Sequence, residues 1–454
     1  MNQNLYTSID YEWLFKPTGD PFANAGGYAL KVFAETFPDD DILQLISRAT
    51  DIYVNKWSGK IHTFFLNSKI TNNQIKHKKE ETLKYFESLI NDTDARTGFC
   101  RISGRETSVF PAGRDNSVLS GSGKFVNFHH GFDSGIMLSK EVLIRLFFLP
   151  MGVNLLDGKV CVIDSSDKEV SEKFVSDNCS NIFREIAQKC SKGVLKSPSA
   201  APSTELFRFA DRIIKERDET VNKDCSLNLY LFTNFGAKPE LEIYTLPFEG
   251  MDFYRFVNKI KYKDDWQKFI STKYFCYNTK TKKRECAGEN SEIGENEFKY
   301  WENSVYENFI NGKNILPEIL KWSKDNTFSF DIVKYYELKV RKMKKETIQK
   351  IEQMADFIFE ANELNQIGKA INKLNNLANS YELRRFVLKD IVTKYYDKHG
   401  DESQPIISVK DYTDYLFPDT ESWKETRDVL VIALYQKLHE KNIKIEFDIN
   451  ESEQ

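Results

Sequence analysis

Apolar positions in the first part of the chain recur at two different spacings. The stretches Leu30–Phe33 and Ile42–Ile46 carry apolar residues at helical spacing, which predicts two helices. Ile52–Val54 and Ile61–Leu66 are short runs of β-branched and aromatic residues, and the glycine turn between them predicts a β-hairpin. The segment from Arg96 to Lys124 is rich in Gly, Ser and Arg and has no such run, so we expect a long loop there.

The middle of the chain mixes strand-like and helical patterns. Ser139–Leu149 has helical spacing, and Lys159–Ile163 reads as a buried strand. Ser226–Asn234 and Leu241–Leu246 predict a second hairpin. Lys280–Asn296 is polar and contains glycine, which predicts a loop.

Beyond about residue 313 the apolar pattern is helical throughout. The segments Ile348–Ile358, Leu383–Tyr395 and Leu430–Leu438 each carry an apolar face with short polar turns between them, as in an antiparallel bundle. The sequence therefore predicts an α+β fold with two domains. A mixed body with short hairpins and a glycine/arginine loop region spans residues 1–312, and an all-helical bundle spans residues 313–454.

Composition narrows the class of protein. A hydrophobic content of 41% is ample for folded cores, and 454 residues are too many for a single one. The seven cysteines are odd in number and scattered, which favours a reducing compartment over a disulfide framework. No apolar run approaches the length of a membrane span, and the first residues lack the pattern of a secretion signal. We expect a soluble cytoplasmic protein with no membrane partner.

Charge is distributed unevenly along the chain. The net charge of −4 argues mildly against binding nucleic acid, but local charge matters more than the sum. Lysines concentrate in Lys76–Lys79, Lys259–Arg284 and Lys334–Lys350. Such runs are often no more than solvated helix faces, and they are also what a phosphate-binding surface requires.

The most informative segment has the outline of a zinc ribbon without most of its ligands. Cys100–Arg105 has the form of a C-x-x-C-G turn in which Ser103 replaces the second thiolate. Further along, Gly135–Val142 occupies the place of a second C-x-x-C, with Ser139 and Val142 instead of sulfur. Two complete pairs would place four thiolates around one tetrahedral zinc, whereas one cysteine cannot hold a structural zinc. We therefore expect no metal and no cofactor.

Other short motifs accompany this segment in a recognisable order. Thr18–Gly26 reads T-G-D-P-F-A-N-A-G, Asn127–Phe128 follows the first turn, and Leu149–Gly152 closes the region. In this order the motifs resemble those of the CXXC–CXXC large subunits of type I-B CRISPR Cascade complexes. The resemblance extends through Leu241–Pro247 and a helical ending that includes Arg384–Phe386.

The resemblance implies a non-catalytic role in an RNA-guided complex. Such a subunit binds crRNA and duplex target DNA, recognises the protospacer-adjacent motif and supports R-loop formation. Its partners are the Cascade backbone and small subunits, the displaced single strand, and a helicase–nuclease recruited in trans. The family also implies that the C-terminal bundle can be made separately from an internal start, for which Met343 and Met354 are candidates.

Candidate contacts to nucleic acid lie in the glycine-studded loop and near the N-terminus. Arginine forks and exposed glycine amides both suit phosphate oxygens, and an asparagine amide can meet a base edge. The candidate set is Lys16, Asn24, Arg101, Arg105, Arg114, Lys124 and Asn127. For Asn24 an alternative is structural, because Asp20 and Pro21 are typical of a helix start. Under that interpretation Gly26 and Gly27 need not approach guide RNA or DNA.

Other classes of protein remain open at this point. Ser120–Lys124 is not a phosphate-binding Walker loop, because the required glycine and hydroxyl positions hold Val118 and Phe125. His129 and His130 together with Cys100 would leave a metal one ligand short. No catalytic constellation emerges, so we expect no enzyme. The alternatives are a metal-dependent nucleic-acid enzyme built on the relic knuckle, or a scaffold that binds no nucleic acid.

Overall fold

The computed structural model describes residues 6–121, 126, 132, 135–217, 225–234, 240–287, 298–400, 404–418 and 422–443. The chain forms two compact units. The first comprises Met1–Phe248 with Tyr300–Glu302, and the second comprises Glu249–Lys299 with Asn303–Gln454. The fold class is α+β, as the sequence predicts.

The first unit contains seven α-helices and eight strands within the described residues. The helices are α1 (Tyr11–Phe15), α2 (Pro21–Thr36), α3 (Ile42–Asp51), α4 (Lys78–Ile90), α5 (Lys140–Phe148), α6 (Lys168–Ala187) and α7 (Pro202–Arg217). The strands are β1 (Arg96–Phe99), β2 (Glu106–Ala112), β3 (Ile136–Ser139), β4 (Asn154–Leu156), β5 (Lys159–Ser165), β6 (Leu195–Lys196), β7 (Leu227–Thr233) and β8 (Glu240–Leu246).

Two sheets organise the first unit. The larger has the order β6-β4-β5-β7-β8 and is antiparallel except for the pair β4–β6. Its central strand β5 is buried from Val160 to Ile163, and α2 and α6 pack against it. The smaller sheet has the order β1-β2-β3 and is antiparallel, and β3 leads directly into α5. The predicted hairpin of Ser226–Asn234 and Leu241–Leu246 is confirmed as β7–β8.

The second unit is mostly helical. Its helices are α8 (Phe248–Val257), α9 (Ile260–Ser271), α10 (Ser304–Ile310), α11 (Leu316–Ser323), α12 (Phe330–Tyr335), α13 (Lys345–Ala361), α14 (Leu364–Asn375), α15 (Ser380–Phe386), α16 (Lys394–His399) and α17 (Trp423–Glu440). Its strands are β9 (Tyr274–Asn278), β10 (Lys283–Cys286) and β11 (Glu302–Asn303). After Asn303, the described residues form helices and turns only, which confirms the predicted helical ending.

The sequence-based boundary at 312/313 falls inside this second unit. The reason is aromatic packing: the Phe253 ring of α8 lies 5.4 Å from the ring of Tyr336 and 5.7 Å from that of Phe309. Phe256 stacks on Tyr335 with ring centroids 3.9 Å apart. The contacts with Tyr335 and Tyr336 attach α8 to the part of the chain beyond residue 313, and the contact with Phe309 attaches it to α10.

Three local predictions are wrong. The hairpin predicted over Ile52–Val54 and Ile61–Leu66 is absent, because α3 continues as a π-helical turn, Ile52–Lys56, that buries Tyr53. The loop predicted from Arg96 to Lys124 contains β1 and β2, which are held by backbone pairing although β1 is mostly exposed. The loop predicted over Lys280–Asn296 contains β10.

Candidate nucleic-acid interface

The loop between β1 and β2 forms a tight turn around Cys100. The Cys100 Sγ accepts a hydrogen bond from the Ser103 backbone N–H at 3.5 Å, and the Cys100 carbonyl accepts one from Gly104 N–H at 2.8 Å. Gly104 has a φ of +70°, which a side chain would make costly. Cys100 is only 1% exposed. The chain therefore forms the tight turn with a single sulfur inside it.

The second knuckle-like segment lies beside the first. Arg101 N–H donates to the Met137 carbonyl at 2.9 Å, and Ser139 pairs with Val109 across β2–β3. Ser139 caps α5, since its Oγ accepts from Val142 N–H at 3.4 Å. Two segments that are distant in sequence are thus brought together by backbone pairing.

These residues do not fit a zinc ion. Cys100 is the only thiol among the four ligand positions, Ser139 is engaged as a helix cap, and Val142 has no donor atom. No group of three or more His, Cys, Asp or Glu side chains in the described part of the chain could hold a metal. His129 and His130 lie outside the described residues.

Arg105 is held at the end of the knuckle loop. Its Nη2 donates to Asp10 Oδ2 at 2.8 Å, and its guanidinium lies 4.6 Å from the centre of the Trp13 ring. Asp10 also caps α1, because its Oδ1 accepts from Trp13 N–H at 3.4 Å. The side chain of Arg105 remains 27% exposed. Arg105 is therefore oriented by protein contacts and keeps part of its edge open to solvent.

Arg101 and Arg114 lie at opposite ends of β2. Arg101 is exposed in the knuckle loop, whereas Arg114 follows the strand in a turn closed by its own N–H to the Gly121 carbonyl at 2.7 Å. The seven residues of β2 span roughly 20 Å. One compact arginine cluster is therefore not formed. Lys124 and Asn127, predicted to complete it, lie outside the described residues.

Asn24 is placed inside the protein rather than on a surface. It is 6% exposed, and its Oδ1 accepts from Thr18 N–H at 2.9 Å and from Arg145 Nη2 at 2.9 Å. Asp20 caps α2 by accepting from Ala23 N–H at 2.7 Å, with Pro21 at the first position, as the structural alternative predicts. This burial argues against a direct contact of Asn24 with nucleic acid.

The glycines of α2 serve helix packing. A Cβ on Gly26 would lie 2.0 Å from the Arg145 carbonyl oxygen, and one on Gly27 would lie 2.8 Å from Arg145 Nε. The two glycines therefore let α2 cross directly over the backbone of α5. Lys16, just before this segment, keeps its side chain 49% exposed and pairs with Glu12 at 3.1 Å.

Sequence reasoning missed Arg145, the residue that ties this region together. It is fully buried in α5 and donates from Nε to the Ala23 carbonyl at 2.8 Å and from Nη1 to the Lys16 carbonyl at 2.7 Å. Burial lowers the pKa of Arg145 to about 10, opposed mainly by Tyr28 and then Asp20. An arginine within the apolar run V-L-I-R-L-F-F was the available signal.

A comparison of the sequence with models of protein families finds no match, and a comparison with curated proteins also finds none. Within the described residues, no helix is both long enough and apolar enough to cross a bilayer.

Proposed function

We propose that this chain is a non-catalytic large subunit of an RNA-guided CRISPR surveillance complex of the Cascade type. In this role it binds crRNA and duplex target DNA, reads the protospacer-adjacent motif and supports R-loop formation. Pairing by the guide supplies sequence specificity, while the protein contributes motif reading and backbone contacts. A helicase–nuclease recruited in trans performs the cutting, and the backbone and small subunits of the complex are the protein partners.

One observation carries this proposal. The two knuckle-like segments adopt adjacent positions through Arg101 and Met137, and the first retains its sulfur-centred turn around Cys100, although the residues do not fit zinc. A metal-free relic of this kind supports the resemblance to the CXXC–CXXC subunits better than an unrelated loop would. The mixed first unit and the helical second unit are in the order that this resemblance implies.

The candidate contacts differ in availability. Arg101 is exposed, and the Arg114 side chain makes no hydrogen bond or ion pair with the described residues. Arg105 is pre-oriented by Asp10, which lowers the conformational cost of meeting a phosphate. Through these arginines the smaller sheet, β1-β2-β3, would contact the flanking duplex.

A separate small subunit would begin at an internal methionine. Met343 lies just before α13, whereas Met354 lies inside that helix. A product that starts at Met343 would keep α13 whole, so we favour this start. Mass spectrometry of the complex expressed from its native gene would detect such a fragment.

The test is a gel-shift of the assembled complex on duplex DNA with permissive and scrambled flanking motifs. Four single variants are compared with the wild type, and Lys60→Ala, which removes an exposed cation in the same unit, is the control. The four variants are Arg101→Ala, Arg105→Ala, Arg114→Ala and Asn127→Ala. If a residue contacts the motif directly, its replacement should lower the ratio of affinities for the permissive and scrambled motifs by about tenfold or more. Loss from Arg101→Ala but not Arg114→Ala would assign the contact to the knuckle end of β2.

Two results would refute the proposal. The first is a purified assembly that carries no RNA and binds no duplex at moderate salt. The second is hydrolysis of nucleic acid by the chain itself that is abolished by a chelator, which would indicate the metal-dependent enzyme instead.

A further inference from the structure

The β9–β10 hairpin of the second unit has two chemically different faces. Side chains alternate along a strand, so Phe275 and Tyr277 share one face of β9, and Arg284 joins them because it pairs directly with Tyr277. Tyr274 and Cys276 lie on the opposite face. There the Tyr274 ring lies 5.4 Å from the ring of Phe298. One face is therefore anchored, and the other is presented outward.

The outward face carries stacked aromatic and guanidinium groups. The Arg284 guanidinium lies 3.4 Å from the centre of the Phe275 ring, and Tyr277 beside it is 60% exposed. An exposed tyrosine next to an arginine plane offers two flat surfaces on which a base can stack. Because Tyr277 is largely exposed, packing within the second unit does not explain an aromatic residue at this position.

Exposed lysines lie at the turn end of this face. Lys280 and Lys282 lie in the turn, are exposed and form no ion pair with the described residues. Lys283 begins β10 and pairs directly with Asn278, so its side chain lies on the opposite face. The only acid of the hairpin, Glu285, lies on the other face, where it accepts from Asn278 Nδ2 at 2.6 Å. The two turn lysines thus lie at the end of the aromatic face, and the Glu285 side chain lies on the opposite face.

The turn that carries these lysines is closed by side-chain hydrogen bonds. Asn278 Oδ1 accepts from Lys280 N–H at 3.0 Å and from Thr281 N–H at 3.2 Å. This side-chain turn closes the loop and positions Lys280 and Lys282 at its tip. Cations beside a stacking surface are the arrangement by which proteins follow a single strand, with phosphates on the cations and bases on the rings.

We propose that the outward face of the β9–β10 hairpin, formed by Phe275, Tyr277 and Arg284 with Lys280 and Lys282 at its tip, binds single-stranded nucleic acid. This inference rests on the proposed function and names the surface that holds an unpaired strand. Duplex DNA does not suit the face, because its bases are already stacked. Binding is tolerant of sequence, since every base has a flat surface.

The test measures binding of the full-length chain to a fluorescent oligo(dT) of about 12 nucleotides. Tyr277→Ala should weaken binding about tenfold, whereas Tyr277→Phe, which keeps the ring, should stay within about twofold of the wild type. Replacement of Lys280 and Lys282 by Ala should reduce the slope of log affinity against log salt by about 1.4. Tyr381→Ala removes a tyrosine that is 71% exposed on α15 and serves as the matched control, with no change expected.

The outcomes separate this inference from the proposed function. Duplex that carries the flanking motif but no sequence complementary to the guide reports the motif contact alone, and the assembly should bind it equally with Tyr277 or Tyr277→Ala. If Tyr277→Ala and the double lysine variant keep oligo(dT) affinity within about twofold, the hairpin proposal is overturned while motif binding stands. If the variants lose affinity for a polyglutamate peptide as strongly as for oligo(dT), the hairpin proposal is also overturned, since the face would then recognise any polyanion. Unchanged circular dichroism of the variants excludes unfolding as the cause.

Discussion

Arg145 in the first unit and Glu337 in the second are both fully buried ionisable side chains, but they differ in whether their polar atoms are hydrogen-bonded. Arg145 donates to the carbonyls of Ala23 and Lys16 and to Asn24 Oδ1, all within 2.9 Å. Glu337 lies in the π-helical turn Tyr336–Val340, and neither of its carboxyl oxygens has a hydrogen-bond partner among the described residues.

The difference follows from what each group can do with its charge. Burial lowers the pKa of Arg145 only to about 10, so the guanidinium stays charged near pH 7 and must be solvated by protein dipoles. Burial, and then the neighbouring Glu425, raises the pKa of Glu337 to about 8, while Arg341 opposes the shift and Asp428 adds to it. Glu337 is therefore mostly protonated at neutral pH. A buried acid can shed its charge, and a buried arginine cannot.

Removal of Arg145 should have the largest effect. Arg145→Met fills similar space but removes the buried donor to the Lys16 and Ala23 carbonyls and to Asn24 Oδ1, which keeps only its bonds from Thr18. We therefore expect a loss of about 3–5 kcal/mol in the free energy of unfolding. Urea denaturation followed by circular dichroism measures it. Arg385→Met, at an exposed arginine of α15, is the control and should change stability by less than about 0.5 kcal/mol. Equal stability of the two variants would mean that the buried network contributes nothing.

The pH dependence of stability should identify Glu337. Its pKa is higher in the folded chain than in the unfolded chain, so its contribution is complete below about pH 4.5 and is lost as pH rises through about 8. In this window stability should fall by up to about 1.4 kcal/mol per pH unit relative to Glu337→Gln, which cannot ionise. Glu346→Gln, at an exposed glutamate on α13, should instead follow the wild type. Parallel curves for Glu337→Gln and the wild type would contradict the assigned pKa.

Gly26→Ala tests how closely α2 packs against the Arg145 backbone in α5. Helix propensity alone predicts that alanine stabilises α2 by about 1 kcal/mol. The new Cβ would lie 2.0 Å from the Arg145 carbonyl oxygen, so we expect a loss of about 1–3 kcal/mol instead. The sign of the change in urea midpoint decides between the two, and a gain would show that the crossing of α2 and α5 can relax.

Asn24→Asp should have the smallest effect. The aspartate keeps an acceptor for Thr18 and Arg145 and adds a negative charge beside the guanidinium. The gain in attraction and the cost of burying a carboxylate offset each other, so we expect a change within about 1 kcal/mol at pH 7. Stabilisation well above this value would mean that Arg145 lacks sufficient solvation from its neutral acceptors.

Regular apolar spacing made part of this structure predictable. The helices after residue 313 and the hairpin β7–β8 follow their sequence patterns, because their apolar residues recur at the spacing of the element, as in the alternating burial along β7. Strand β1 escaped prediction because it is held by backbone pairing and buries little. The stretch Ile52–Val54 was misread because its β-branched and aromatic residues suit a strand, while Tyr53 extends the buried face of α3.

The candidate site was predictable only in part. The knuckle turn could be read from C-x-x-S-G, since a tight turn is a local property. The separation of Arg105 from Arg114 could not, because it depends on the strand formed between them. The role of Asn24 depends on Arg145, a partner far away in sequence whose contact no local pattern records.

The described residues contain four π-helical segments: Ile52–Lys56, Tyr336–Val340, Val387–Thr393 and Asp411–Leu416. Each such turn accommodates one more residue than an α-turn, so everything downstream is rotated by about 100° about the helix axis. Loss of a single residue at Tyr336–Val340 would therefore swing the following turn by that angle while leaving the composition almost unchanged. Alignments of related chains should place single-residue gaps at these positions, and a gap there would mark a change in which side chains point inward.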